Sequence, residues 1–198
     1  MRQLYEIDLS LKIRKSMALE QFIPDLELLL DEVLAQADEQ LASVHGERHW
    51  RAVAAVGLRL LDETPQADPL VVLLFALLHD SRRINDYDDP EHGIRAAHYA
   101  QSFQSQRLHL PDQQLALLDY ACHHHAFGDL SSDPTIGICW DSDRLNLWRV
   151  GLKPSERLLS TKAAKQQQTI LWARGVASTP PEWPELFADY RALLGPKA

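Results

Sequence analysis

A run of nine apolar residues, Leu70 to Leu78, ends in the dipeptide His79-Asp80, which Ser81, Arg82 and Arg83 follow. An imidazole and a carboxylate placed side by side at a helix end can reach one cation, and the helix limits their motion. Other polar residues also interrupt apolar stripes. His49 repeats with Val53, Val56 and Leu60 at helical spacing and so points inward. His45, beside Gly46, is expected in a fraying first turn near solvent. Leu115, Leu118, Cys122 and His125 share one stripe, with Leu117, Ala121 and His124 next to it, so His124 and His125 face the core better than His123. Asp143 lines up with Trp140, Leu147 and Val150, and Asp141 with Leu145 and Trp148.

Each of these residues has an ordinary explanation by itself, as a hydrogen-bonded core histidine or a capping aspartate. Together they would place several ionisable groups in one core, which is costly unless they share a partner. A divalent cation is such a partner, and metal binding would then be coupled to folding. Imidazole and carboxylate without thiolate suit Mn, Fe, Co, Ni or Mg with water-filled positions, rather than a closed structural zinc site.

The elements that must carry these groups read as helices near 19–43, 48–62, 69–80, 90–106, 111–126, 139–149, 160–174 and 182–194. The fold class is therefore all-α. Asp68 before Pro69 and Asp89 before Pro90 each set a capping oxygen ahead of a proline suited to a first helical turn. Residues 1–18 form an N-terminal extension, in which Ile7, Leu9, Leu11 and Ile13 alternate with polar residues as in a short strand. Residues 19–198 are expected to form one domain, a size that buries a substantial core. The "PEWPELFADYRALL" segment near the C-terminus reads as an amphipathic helix closing that core.

Composition excludes several classes. The chain has 198 residues, 45% hydrophobic and 24% charged, which is a globular balance. Its formal net charge of −8 opposes general affinity for nucleic-acid backbones. Cys122 and Cys139 have neither metal-knuckle spacing nor a disulfide framework, and read as buried thiols in a reducing compartment. The apolar run at 70–78 is far shorter than a bilayer span and the first residues lack a signal-peptide core, so a cytoplasmic protein is expected.

The order of His49, "HD" at 79–80 and "DSDRL" at 141–145 resembles the HD-domain superfamily of metal-dependent phosphohydrolases, over residues 45–150. "HDSRRINDYDDPEHG", "HHHAFGD" and "CWDSDRLNLWRVGLKP" are similar to a bacterial subgroup of that superfamily with no assigned substrate. The resemblance implies an HD-type helical bundle with extra C-terminal helices. It also implies a metal set of His49, His79, Asp80 and Asp143, with Asp141 standing behind the ligands or replacing Asp143. The segment from His92 to Ala96 and Ala97 resembles one that supplies a histidine to a second metal in dinuclear relatives, which His124 and His125 would complete while Asp80 bridges. Whether one ion binds or two is left open by the sequence.

The resemblance implies hydrolysis of a small phosphoester or nucleotide by metal-activated water, with Asp80, Arg82 and Arg83 as catalytic candidates. Arg82, Arg83, Arg95 and Arg144 are candidates for the substrate phosphate, to which guanidinium geometry is matched. Two other readings use the same residues: a di-iron oxygenase on the same scaffold, and a metal-bound regulatory module without catalysis. The partners expected are a small phosphorylated molecule or nucleotide and, as a homodimer, a second copy of the chain.

Overall fold

The all-α class holds in the computed structural model, which describes residues 19–37, 42–127 and 129–194. No sheet forms among them; a single isolated bridge pairs Gln104 with Leu108. The helices are α1 (Leu26–Gln36), α2 (Glu47–Asp62), α3 (Pro69–Leu78), α4 (His92–Phe103), α5 (Asp112–His124), α6 (Pro134–Leu145), α7 (Lys162–Lys165), α8 (Gln167–Ser178) and α9 (Trp183–Leu194). Among the described residues no helix is long and apolar enough to cross a membrane.

The uninterrupted apolar run becomes the central helix. From Leu70 to Leu78 no residue of α3 is more than 1% exposed, because α1, α2, α4, α5, α6 and α9 all pack around it. Each large apolar side chain so buried contributes on the order of 1.5–3 kcal/mol. Asp68 caps the start, its Oδ1 accepting from the backbone N–H of Leu70 and Val71 with Pro69 in the first turn, as its sequence predicts.

Two glycines allow close packing where it matters. A Cβ on Gly57 would come within 2.6 Å of the Val72 side chain, so α2 lies tightly against α3. On Gly93 it would meet the carbonyl oxygens of Cys122 and His123 at 2.6 and 2.8 Å, so the start of α4 abuts the end of α5. The Trp140 indole ties α6 to α5 by donating to the Ala121 carbonyl at 3.0 Å. The C-terminal amphipathic segment closes the core as expected, burying Leu186, Phe187, Tyr190 and Leu194.

Several boundaries differ from the sequence reading. The expected 19–43 helix is a short 3-10 turn, Leu19–Gln21, followed by α1, because Pro24 interrupts it and Asp25 caps anew. Helix α6 begins at Pro134, capped by Asp133, five residues before the expected start. The 160–174 segment is split at Gln166, whose backbone is extended, into α7 and α8. Asp89 does not cap a helix starting at Pro90: α4 starts at His92, and the Asp89 carboxylate accepts from Arg95 and from the Ile84 N–H instead. The expected N-terminal strand lies outside the described residues.

Candidate metal centre

The centre is built where α3 ends. His79 occupies the last turn of that helix, and the chain then turns at Asp80, with the Ser81 hydroxyl donating to the Leu78 carbonyl. A helix C-terminus carries partial negative charge, which favours a cation there. Helix α2 brings His49, the start of α4 brings His92, the 3-10 turn after α5 brings His125, and the last turn of α6 brings Asp143. The contact at Gly93 is what sets His92 beside His125.

Each of the four histidines is oriented from behind. The Nδ1 of His49 lies 2.7 Å from Asn146 Oδ1, that of His79 3.0 Å from the Phe75 carbonyl, and that of His125 2.7 Å from the Cys122 carbonyl. The Nδ1 of His92 faces the Asp89 carbonyl. A carbonyl oxygen can only accept, so Nδ1 carries the proton and Nε2 is left with its lone pair facing inward. This is the arrangement found behind metal-ligating imidazoles.

The Nε2 atoms converge on the two oxygens of one buried carboxylate. Asp80 Oδ2 lies 3.5 Å from His49 Nε2 and 3.7 Å from His79 Nε2. Asp80 Oδ1 lies 3.3 Å from His92 Nε2 and 3.4 Å from His125 Nε2. Within each pair the nitrogens are close: 3.1 Å between His49 and His79, and 2.9 Å between His92 and His125. Two lone pairs facing one another at that distance repel unless a proton or a cation lies between them. Nitrogens held about 2.0–2.2 Å from one ion are roughly 2.9–3.5 Å apart, so both separations fit the edge of a coordination polyhedron. The donor sets His49–His79–Asp80 and Asp80–His92–His125 thus form two candidate cation sites sharing Asp80. Asp143 Oδ1, 3.2 Å from His49 Nε2, adds a donor to the first.

The electrostatics match. Burial drives the imidazole of His79 down to about 3 and lowers those of His49 and His92, keeping them neutral and available as ligands. His125 is also buried, yet its contact with Asp80 raises it above the usual value, so without a cation it is the histidine that shares a proton with Asp80. Burial alone would push the Asp80 carboxyl up; the imidazoles around it, His79 foremost, hold it well below the carboxylate range. Asp143 is likewise held low against burial by His49 and Arg149.

Comparison with protein-family models, curated proteins and solved structures finds no match for this chain. The geometry therefore carries the reading of the site by itself: a buried His/Asp cluster whose chemistry suits divalent metal.

Of the predicted residues, His49, His79, Asp80, His92, His125 and Asp143 come together. His124 does not: its half-buried ring packs on Tyr120 and Phe127, because α5 ends there and the tighter 3-10 turn directs the next residue inward. His98 is exposed on α4. Asp141 touches no ligand; it is buried and accepts from the Ser160 and Thr161 N–H groups and the Thr161 hydroxyl, anchoring the start of α7. Among the four predicted arginines Arg83 alone contacts the cluster, its Nε 3.1 Å from Asp80 Oδ1. Arg95 grips both oxygens of Asp89. Arg82 lies over the Tyr99 ring, and Arg144 over Trp140 while donating to the Leu158 carbonyl.

Sequence reading missed three residues. His45 keeps some exposure, as expected, but also reaches the cluster: its Nδ1 lies 3.1 Å from Asp80 Oδ2 and 3.1 Å from an Arg149 nitrogen. Asn146 orients His49. Arg149 donates to the Val44 and Asn146 carbonyls and comes within 3.9 Å of Asp143 Oδ1. Signals existed for two of them, since His45 stands four residues before His49 and Asn146 three after Asp143.

Proposed function

We propose that this chain is a metal-dependent phosphohydrolase of the HD-domain type that holds two divalent cations across Asp80 and hydrolyses a small phosphoester or nucleotide. The observation that carries the reading is the pairing of two imidazoles on each oxygen of one buried carboxylate. The order of these residues along the chain, with H, HD and D in succession, supports the same superfamily.

When bound, a divalent pair supplies Lewis acidity and a water of lowered pKa for in-line attack on phosphorus. The protein's own groups supply position and charge. Asp80 fixes the spacing of the two half-sites, and Arg83 braces Oδ1 from the side. His79, His92 and His125 close the floor to solvent. Asp143, with 19% of its side chain exposed, and His45, with 16%, mark the side on which a substrate reaches the cluster. Arg149 stands at that opening and is suited to balance phosphoester charge.

A panel of phosphomonoesters, phosphodiesters and nucleotides, assayed on protein loaded with Mn, Co, Ni or Mg, tests the proposal. Hydrolysis of at least one ester is expected with at least one metal, read as phosphate from a monoester or as the alcohol and monoester from a diester, falling roughly 100-fold or more in Asp80→Ala. Inactivity across the panel in fully loaded protein would remove the hydrolase reading. The four-imidazole donor set also suits iron; oxygen uptake by iron-loaded protein, in place of phosphate release, would assign the scaffold to an oxygenase.

A further inference from the structure

We infer that the cleft beside His49 is a second anion-binding subsite, so that the substrate carries another anionic group besides the phosphoester that reacts. The inference rests on the phosphohydrolase reading and narrows its substrate class. The cleft has a volume of about 440 Å³, and its wall includes Ser43, Arg48, His49, Asn146, Trp148 and Arg149. It adjoins the cluster through His49, and Arg149 in its wall reaches His45 Nδ1 at 3.1 Å and Asp143 Oδ1 at 3.9 Å.

Its lining contains two guanidinium groups and no carboxylate, in a chain of net charge −8. Arg149 has only 12% of its side chain exposed, yet its hydrogen bonds go to the Val44 and Asn146 carbonyls and to His45 Nδ1, none of them a carboxylate, and its nearest carboxylate oxygen, that of Asp143, is 3.9 Å away. Arg48 is exposed and donates to the Ser178 carbonyl, with no ion pair among the described residues. A largely buried cation whose hydrogen bonds reach no carboxylate retains charge that an anion can neutralise.

Asn146 provides an independent sign. Its Oδ1 accepts from His49 Nδ1, which fixes the amide orientation and leaves Nδ2 as a donor. That nitrogen is buried and has no acceptor in the structure. A buried donor without a partner is uncommon, and an oxygen of a bound ligand would complete it. Two guanidiniums and an amide donor fit a phosphate or a carboxylate, and the volume accommodates a small metabolite. The ligand class is thus a compact phosphoester with a second phosphate or a carboxylate.

Calorimetry on metal-loaded protein tests this with methylphosphonate, which has one anionic group, against 3-phosphonopropionate and methylenediphosphonate, which have two. At least one of the latter should bind tenfold or more tightly than methylphosphonate, and whichever binds better identifies the second group as carboxylate or phosphate. Asn146→Asp keeps an acceptor for His49 but replaces the donor with a carboxylate oxygen; Arg48→Gln removes an exposed charge. Both should erase the tenfold advantage; in Arg48→Gln, which touches no residue of the cluster, metal content and methylphosphonate affinity should stay unchanged. An advantage that is absent, or that survives both substitutions, overturns the subsite. Should Asn146→Asp lose metal or fail to fold, the exposed Arg48→Gln decides alone. Protein that binds the two-group ligands as described yet hydrolyses no phosphoester would sink the hydrolase reading and leave the subsite standing. Protein that retains no metal still reports on the cleft through loss of 3-phosphonopropionate binding in Arg48→Gln.

Discussion

Asp80 joins the two halves of the centre, and the histidines divide cleanly between its oxygens. Metal analysis by mass spectrometry should therefore count two ions per chain in the wild type, one in His125→Ala or His92→Ala, and none in Asp80→Ala. Two ions retained by the double variant His92→Ala/His125→Ala would place the second cation elsewhere. Behind the ligands, Asp89 makes a different kind of prediction. Burial pushes its carboxyl up, but the two hydrogen bonds and charge of Arg95 hold it below the ordinary carboxylate value. A carboxyl lowered by folding stabilises at pH above its unfolded value, and that contribution is lost as pH falls through the folded value. Asp89→Asn should cost about 1.5–3 kcal/mol near neutrality, the range of a hydrogen bond to a charged group. The melting difference from wild type should shrink below pH ~4; a difference constant with pH would show that the ion pair contributes nothing. Much of this centre was legible, because inward polar residues on apolar stripes stand out at His49, His79 and Asp143. His45 and Asn146 were harder to read: each stands at helical spacing from a cluster residue, but just outside α2 and α6, where that spacing no longer fixes which way a side chain points.

Elements explain why the centre assembles at all. The short approach of α4 to α5 depends on Gly93, where a methyl group would overlap two backbone carbonyls that cannot swing aside. Gly93→Ala should destabilise by about 1–3 kcal/mol as overpacking does. It should also separate His92 from His125, so that the second ion is lost while the first, held by α2, α3 and α6, remains. Circular dichroism melting with metal counting checks both parts, and full two-ion occupancy with unchanged stability would refute the role given to Gly93. The capping signal at Asp68-Pro69 predicted the start of α3 correctly, since the first turn needs only local chemistry. The same dipeptide signal failed at Asp89-Pro90, where Arg95 draws the carboxylate away. The equivalent pair Asp133-Pro134 was passed over because the stripe used to place α6 begins only at Cys139. Local sequence thus marks where a helix can start, and tertiary partners decide whether it does.

At the scale of the molecule, cations held at this centre and the fold would stabilise one another. Without metal, four imidazoles and two carboxylates are buried against each other at 2.9–3.7 Å; with it, stability rises with the logarithm of free metal concentration. The donors are also widely spread along the chain. His49 is 30 positions from His79 and 97 from Asn146, and His92 is 33 from His125. Contacts between distant segments are closed late, after the loops between them have lost their entropy. The expectation is that a site drawn from such distant segments is completed only after the transition state. In stopped-flow measurements on a denaturant series, metal should leave the refolding limb unchanged and slow the unfolding limb, tenfold for every ~1.4 kcal/mol of binding free energy. Acceleration of refolding by metal would mean that α2 and α3 already hold an ion in the nucleus. With a late-forming site, bound cations would act as a latch: they would set how long the native molecule lasts, and have no part in how quickly it forms.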